Sequence, residues 1–317
     1  MKLFRYILLS ILLFSGLFAE NTAYDQVLEN DSWKDKVKVR LVENNDSTYS
    51  ISPNLSDGSG NPISSIDGNL DVGNFYLNIA KGNVTGHKLK SKFGRNPTVG
   101  TSGFDTIWNG GGSYTGFDAT GAEIVSIVSS SDDDNSTGTG LRTIRIWGLD
   151  ADYLEQTEDI ILDGTNEVNS TLSYIRLDTV KGLEAGTGRV NVGNITIRQS
   201  VTTAVIFAVV PAGYNSSMIA AYTVPAGKKG YLVAQRAGIS NKQAAAVAIR
   251  MQARSPGSVF TVQGEAALNS LGVGFIEMVF AIPREIQEKT DIYIEAEASA
   301  TVAVSAFFDI LLVDIEE

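Results

Sequence analysis

The sequence predicts an all-β protein: two β-sandwich domains of jelly-roll-like type, preceded by a signal-like N-terminal segment and an extended arm. Three observations lead there. Apolar and polar residues alternate with period 2 through many short runs. The alternation is cleanest in DIYIEAEA, where Ile292, Ile294, Ala296 and Ala298 share one face and Tyr293, Glu295 and Glu297 the other. Turn formers separate the runs at short intervals, with 31 Gly and only 7 Pro. Almost no stretch carries helical periodicity, whereas an α/β nucleotide fold places helices of about 10–15 residues between its strands. A chain of 317 residues, 43% hydrophobic and 19% charged, is globular and too long for one small core.

The elements follow in order. Residues 1–19 join Lys2 and Arg5 to an apolar run and end on small residues at Ala19, the layout of a secretory signal cut after Ala19. The apolar run of 7–18 is short of the roughly 20 residues of a membrane helix. Residues 20–71 form an N-terminal arm or linker. It holds a short helix around Asp25–Glu29, a strand over 36–42, and a turn cluster at Asp57-Gly58-Ser59-Gly60-Asn61-Pro62. The first sandwich domain spans 72–200, with strands over 74–81, 88–93, 122–128, 141–148, 154–162, 173–180 and 194–199. Its clearest hairpin turns at Asp150-Ala151-Asp152-Tyr153. The second domain spans 201–317, with strands over 247–253, 259–263, 274–282, 291–298 and 301–313. Two Pro-Ala-Gly corners begin at Pro211 and Pro225, about 14 residues apart, too close for solenoid repeats.

Charge and composition exclude several function classes. A formal charge of −11 argues against general nucleic-acid binding, which needs a concentrated basic face. The local exception is KGNVTGHKLKSKFGR. On a strand its Lys88, Lys90 and Lys92 share one face, either as a solubilising strand edge or as a contact to an acidic partner, with Arg95 close by. Cysteine is absent, so neither disulfides nor thiol chemistry operate.

His87 is the chain's sole histidine, and no orienting carboxylate stands near it in sequence, so it reads as a turn or interface residue. One His and no Cys make a poor zinc set. Carboxylates cluster at Asp150, Asp152, Glu155, Glu158 and Asp159, and again at Glu295 and Glu297. Neither group has a spacing that marks a glycosidase pair over a solvated acidic surface. No cofactor is expected beyond structural calcium, for which Asp57 and the run Asp132, Asp133, Asp134 offer hard oxygen ligands in loops. Gly110–Gly112 opens no helix, so it reads as a close backbone approach and not a phosphate loop. Trp108 and Tyr114 beside it either stack on a sugar or plug the end of a sandwich.

NFYLNIAKGNVTGHKLKSKFGRNPTV followed by FDTIWNGGGSY resembles a segment of structural proteins of tailed bacteriophages, many of them marine. The matching positions are Phe75, Tyr76, Gly82, Asn83, Val84, Gly86, His87, Lys92, Phe93, Gly94, Arg95, Asn96, Trp108, Gly110, Gly111, Gly112 and Tyr114. GLDADYLEQTEDIILDG and YTVPAGKKGYL also look like parts of such proteins, so the resemblance runs over roughly 73–317. It implies a virion-associated, non-enzymatic β-sandwich protein: a head decoration, fibre or adsorption component. Its partners would be further copies of itself and other virion proteins. No catalytic residue transfers. The signal-like start departs from this pattern and supports the alternative, an exported surface adhesin or carbohydrate-binding module with a host glycan as partner. In that case Trp108, Tyr114 or Trp147 would line an open groove. A carboxylate-dependent glycan-degrading enzyme is the third reading.

Overall fold

In the computed structural model, residues 25–28, 37–43, 49–53, 65–66, 69–70, 75–239, 244–272 and 274–315 are described. The chain divides into two units, Met1–Phe75 and Tyr76–Glu317. The signal-like segment and Asp57 lie outside the described residues, and no described helix is long and apolar enough to cross a membrane.

In the first unit, β1 (Asp25–Leu28), β2 (Val37–Glu43) and β3 (Tyr49–Pro53) form an antiparallel sheet in that order, and β4 (Ser65–Ile66) pairs with β5 (Asn69–Leu70). The helix expected at Asp25–Glu29 is therefore a strand: Asp25 to Leu28 pair with Arg40 to Val37. A four-residue stretch is too short to declare a helical period, and its neighbour supplies a ladder.

A correction also falls at the unit boundary. The strand expected over 74–81 is the short helix α1 (Phe75–Ala80). Its apolar residues do not alternate, and Ile79 is buried while Tyr76 and Leu77 are exposed. Gly82, at φ +76°, closes it. The Asn83 N–H donates to the Asn78 carbonyl and the Gly82 N–H to the Ile79 carbonyl, a Schellman pattern. Gly82-Asn83 is thus a helix stop.

The second unit holds two sandwiches, so the protein is all-β as its alternation predicts. In one, the sheet β10-β9-β12 (Glu155–Ile161, Leu141–Leu149, Arg176–Ala185) shares a core with the sheet β11-β8-β13-β14 (Val168–Tyr174, Glu123–Ser129, Ile195–Gln199, Ile206–Val210). Ile144, Ile146, Val180, Ile127, Ile197 and Phe207 fill that core. In the other, β15-β20-β17-β18 (Ala221–Thr223, Asp291–Ala298, Ala246–Arg254, Thr261–Asn269) faces β19-β16-β21-β6 (Phe275–Ile286, Lys228–Ile239, Val302–Asp314, His87–Val99). The alternating face of β21, from Val304 through Ala306, Phe308 and Ile310 to Leu312, is its central wall. Each Val, Phe, Ile or Leu side chain of that face, fully buried, contributes about 1.5–3 kcal/mol of transfer free energy.

The chain does not run through these sandwiches one after the other. Strand β6, assigned from sequence to the first domain, pairs with β21 from His87↔Val313 to Val99↔Val302. The short β7 (Asp105–Thr106) pairs with β20. The second unit thus begins its strands in the sandwich that it also finishes, and builds the other between these visits. The physical reason is length matching: β21 has 13 residues and an otherwise open edge, and β6 has 13 residues to cover it. Gly94 makes the crossover sterically feasible, since a Cβ there would lie 2.1 Å from the Ile107 carbonyl oxygen and 2.3 Å from the Ala220 nitrogen.

Candidate functional site

The lysine alternation of β6 positions the most elaborate polar feature of the second unit. Lys88, Lys90 and Lys92 face the outer surface of the β10-β9-β12 sheet. Lys88 Nζ lies 3.0 Å from Glu155 Oε1 on β10. Lys90 and Lys92 both reach Asp178 on β12, Lys92 at 2.9 Å from Oδ1. Lys92 also donates to the Asp178 backbone carbonyl. Lys92 is only 4% exposed, so neither the solubilising-edge reading nor a free contact to an outside acidic partner describes it. Its acidic partner is within the chain. Burial pushes the Lys92 ammonium below its usual pKa, and Asp178 offsets this only in part. Burial alone would raise the Asp178 carboxyl, but Lys92 and Lys90 outweigh it and hold that group below its ordinary 3.8.

Above this triad opens a cleft of about 470 Å³, between β6 and the outer face of the other sheet. Trp147 forms part of its floor, flanked in register by Thr157 on β10 and Thr179 on β12. Lys88, Lys90, Lys181, Glu155 and Arg176 line the walls. Trp147 points this way because Ile144 and Ile146, on the opposite pleat of β9, are committed to the core. At the inner end the Arg176 guanidinium is buried against Asp291 of β20, at 2.9 and 3.0 Å. Arg254 donates to the same carboxylate at 2.7 Å and the Thr223 hydroxyl at 2.6 Å. This network ties β12 of one sandwich to β15, β17 and β20 of the other. Sequence reasoning missed Asp178, Arg176, Asp291 and Lys181. The available signal was RLDTV, charged residues spaced by apolar ones on a strand, which implies buried partners for Arg176 and Asp178.

The remaining predicted residues are dispersed. His87 opens β6 with Nδ1 2.9 Å from the Thr85 carbonyl oxygen, and its pairing with Val313 brings Asp314 close. Arg95 falls on the opposite face of β6 from the lysines, across from Ser305. Trp108 and Tyr114 do not line a groove. They are 3% and 8% exposed, packed edge to face at 5.1 Å, and the Tyr114 hydroxyl donates to the Phe207 carbonyl at 3.0 Å. They plug a core, and sugar stacking on them is overturned. The glycine triplet serves the same packing: a Cβ on Gly110 would sit 2.2 Å from the Trp108 ring, and Gly111 and Gly112 take φ of +71° and +59°. The close approach is to a ring of the same loop.

Asp132, Asp133 and Asp134 do not converge. Asp134 is fully buried, and its carboxylate accepts from the Ser129 hydroxyl and the Leu141, Val192 and Gly193 amides at 2.6–2.9 Å. Asp132 accepts from the Thr165 amide and hydroxyl. No group of three or more metal-ligating side chains occurs among the described residues. Glu295 is bound by Arg250 and Gln252, while Glu297 accepts from the Gly103 amide.

A contrasting surface lies at the far edge of the second sandwich. Strands β18 and β19 end their sheets side by side, linked by Arg284 donating to the Gln263 carbonyl. They and their connection expose Val262, Leu271, Phe275, Val279 and Ile282, the last 85% accessible. Between Val279↔Ala234 and Arg284↔Leu232 the ladder breaks, leaving residues 280–283 of β19 bulged against Val233 alone.

No family model matches this chain, and no curated protein matches it. Among solved structures, the infectious bursal disease virus VP2 subviral particle aligns over 77% of this chain and 82% of its own, at 8% identity and a TM-score of 0.17. The structure of the infectious bursal disease virus Gx strain aligns over 73% and 82%, at 7% identity and a TM-score of 0.11. Overlaps this slight carry no argument about role.

Proposed function

We propose that the chain is a non-enzymatic structural protein of a phage particle, working through contacts between copies of itself and with other virion proteins. The observation that carries this reading is the apolar edge formed by β18 and β19. Five large apolar side chains stand exposed within one strand–turn–strand segment, a concentration characteristic of interaction surfaces. The bulge and Pro283 close this edge to strand addition, so the contact is side-chain packing with Ile282 as its knob. The ordered resemblance from Phe75 to Tyr114 supports the virion setting.

The test is assembly of the full chain, followed by light scattering after size exclusion and by electron microscopy. Oligomers are expected, and Ile282→Lys with Val279→Lys should shift them to monomer at unchanged melting temperature. A wild-type chain that stays monomeric at all accessible concentrations refutes the reading. The alternative, an exported carbohydrate-binding module, is favoured by one observation, the position of Trp147 in the inter-sandwich cleft.

A further inference from the structure

We infer that the cleft between β6 and the β10-β9-β12 sheet is a binding site for an anionic saccharide, a pyranose unit bearing a carboxylate. The inference is independent of whether copies assemble. A volume of about 470 Å³ lies within the roughly 300–1,000 Å³ of small-ligand sites. Its floor is an indole between two hydroxyls: Trp147 with Thr157 and Thr179 in one cross-strand row. An indole face packs against the apolar face of a sugar ring, while hydroxyls beside it exchange hydrogen bonds with the ring substituents. Among the described residues, the Trp147 N–H and the Thr157 and Thr179 hydroxyls make no hydrogen bond, so they are available.

Charge sets the class of sugar. The chain carries −11 overall, yet Lys88, Lys90, Arg176 and Lys181 line this cleft against two acids, Glu155 and Asp178. Asp291 neutralises Arg176 from behind, and Lys92 adds a further cation beneath Lys90. Lys181 is exposed and has no ion-pair partner among the described residues. A local excess of cations in an acidic protein selects an anion, with Lys181 as the carboxylate's counter-ion. A single-stranded nucleic acid fits less well. Such sites stack successive bases on several aromatic side chains, whereas Tyr222, the other aromatic residue here, is buried.

The experiment is calorimetric titration of the full chain with trigalacturonate, in parallel with neutral maltotriose and an oligothymidylate. Tryptophan emission is recorded alongside. Saturable binding of trigalacturonate alone is expected, weakened by salt and accompanied by an emission change that Trp147→Phe removes. Lys181→Ala and Trp147→Ala should each weaken binding by about tenfold, the loss that truncating an anchoring side chain commonly produces. Thermal melting of both variants shows that they fold, and Thr165→Ala, outside the cleft, serves as an unaffected control. Absence of saturable binding, equal binding of maltotriose, or preferential binding of oligothymidylate overturns the inference.

Discussion

The two edges of the β19-β16-β21-β6 sheet invert the usual relation between polarity and burial. Strand β6 carries three lysines on one face and is the covered edge, with Lys92 almost wholly enclosed. Strand β19 carries Phe275, Val279 and Ile282 and is the open one. The difference teaches that composition alone does not assign an edge to solvent. A lysine strand can be buried when a carboxylate is delivered to it from elsewhere in the chain. An apolar strand can stay open when a bulge prevents further pairing.

The sharpest way to break this comparison is Asp178→Asn. It leaves Lys92 enclosed without its carboxylate, beside Lys90, and should cost about 3–5 kcal/mol, as loss of one partner of a buried ion pair does. The shift of the denaturant midpoint measures it, and a change below about 1 kcal/mol would mean that water already screens the triad.

Acid should reproduce the effect reversibly. A carboxyl whose pKa folding lowers contributes stability that is fully present above its unfolded value of 3.8 and is lost as pH falls through the folded value. The melting-temperature difference between wild type and Asp178→Asn should therefore be constant between that point and the range where Lys92 titrates, and shrink as pH falls below it. Lys92 carries the same sign into high pH. Its lowered pKa means that the unfolded chain holds the proton longer, so its contribution improves as pH rises toward 10.5. A difference that stays flat into strong acid would remove Asp178 from the account.

The smallest effect is expected of Lys88→Ala. Its pair with Glu155 is about half exposed on both sides and should be worth about 0–1 kcal/mol. Chemical denaturation in low and high salt would show it, and a loss as large as that of Asp178→Asn would erase the gradient along β6.

Much of this molecule is legible residue by residue. The alternation in 291–298 and 302–314 gave both strands and the correct inward faces, because a period of 2 is a property of consecutive side chains. The shared face of Lys88, Lys90 and Lys92 was legible for the same reason. The partner of that face was not, because Asp178 lies 86 residues from Lys92 and no local pattern links them. Trp108 and Tyr114 were legible as a pair beside glycines, but only the core around Phe207 decides that they plug and do not stack.

What the sequence by itself determined is therefore local: strand character in the alternating runs and the face each side chain takes there. Only the tertiary structure decided that β6 closes the sheet begun by β21, that the cleft floor is Trp147, and that the apolar edge falls on β18 and β19. The reason is that strand pairing is a non-local bond. Its hydrogen bonds come from backbone groups that every residue carries, so the partner is selected by length, register and the packing of the whole chain.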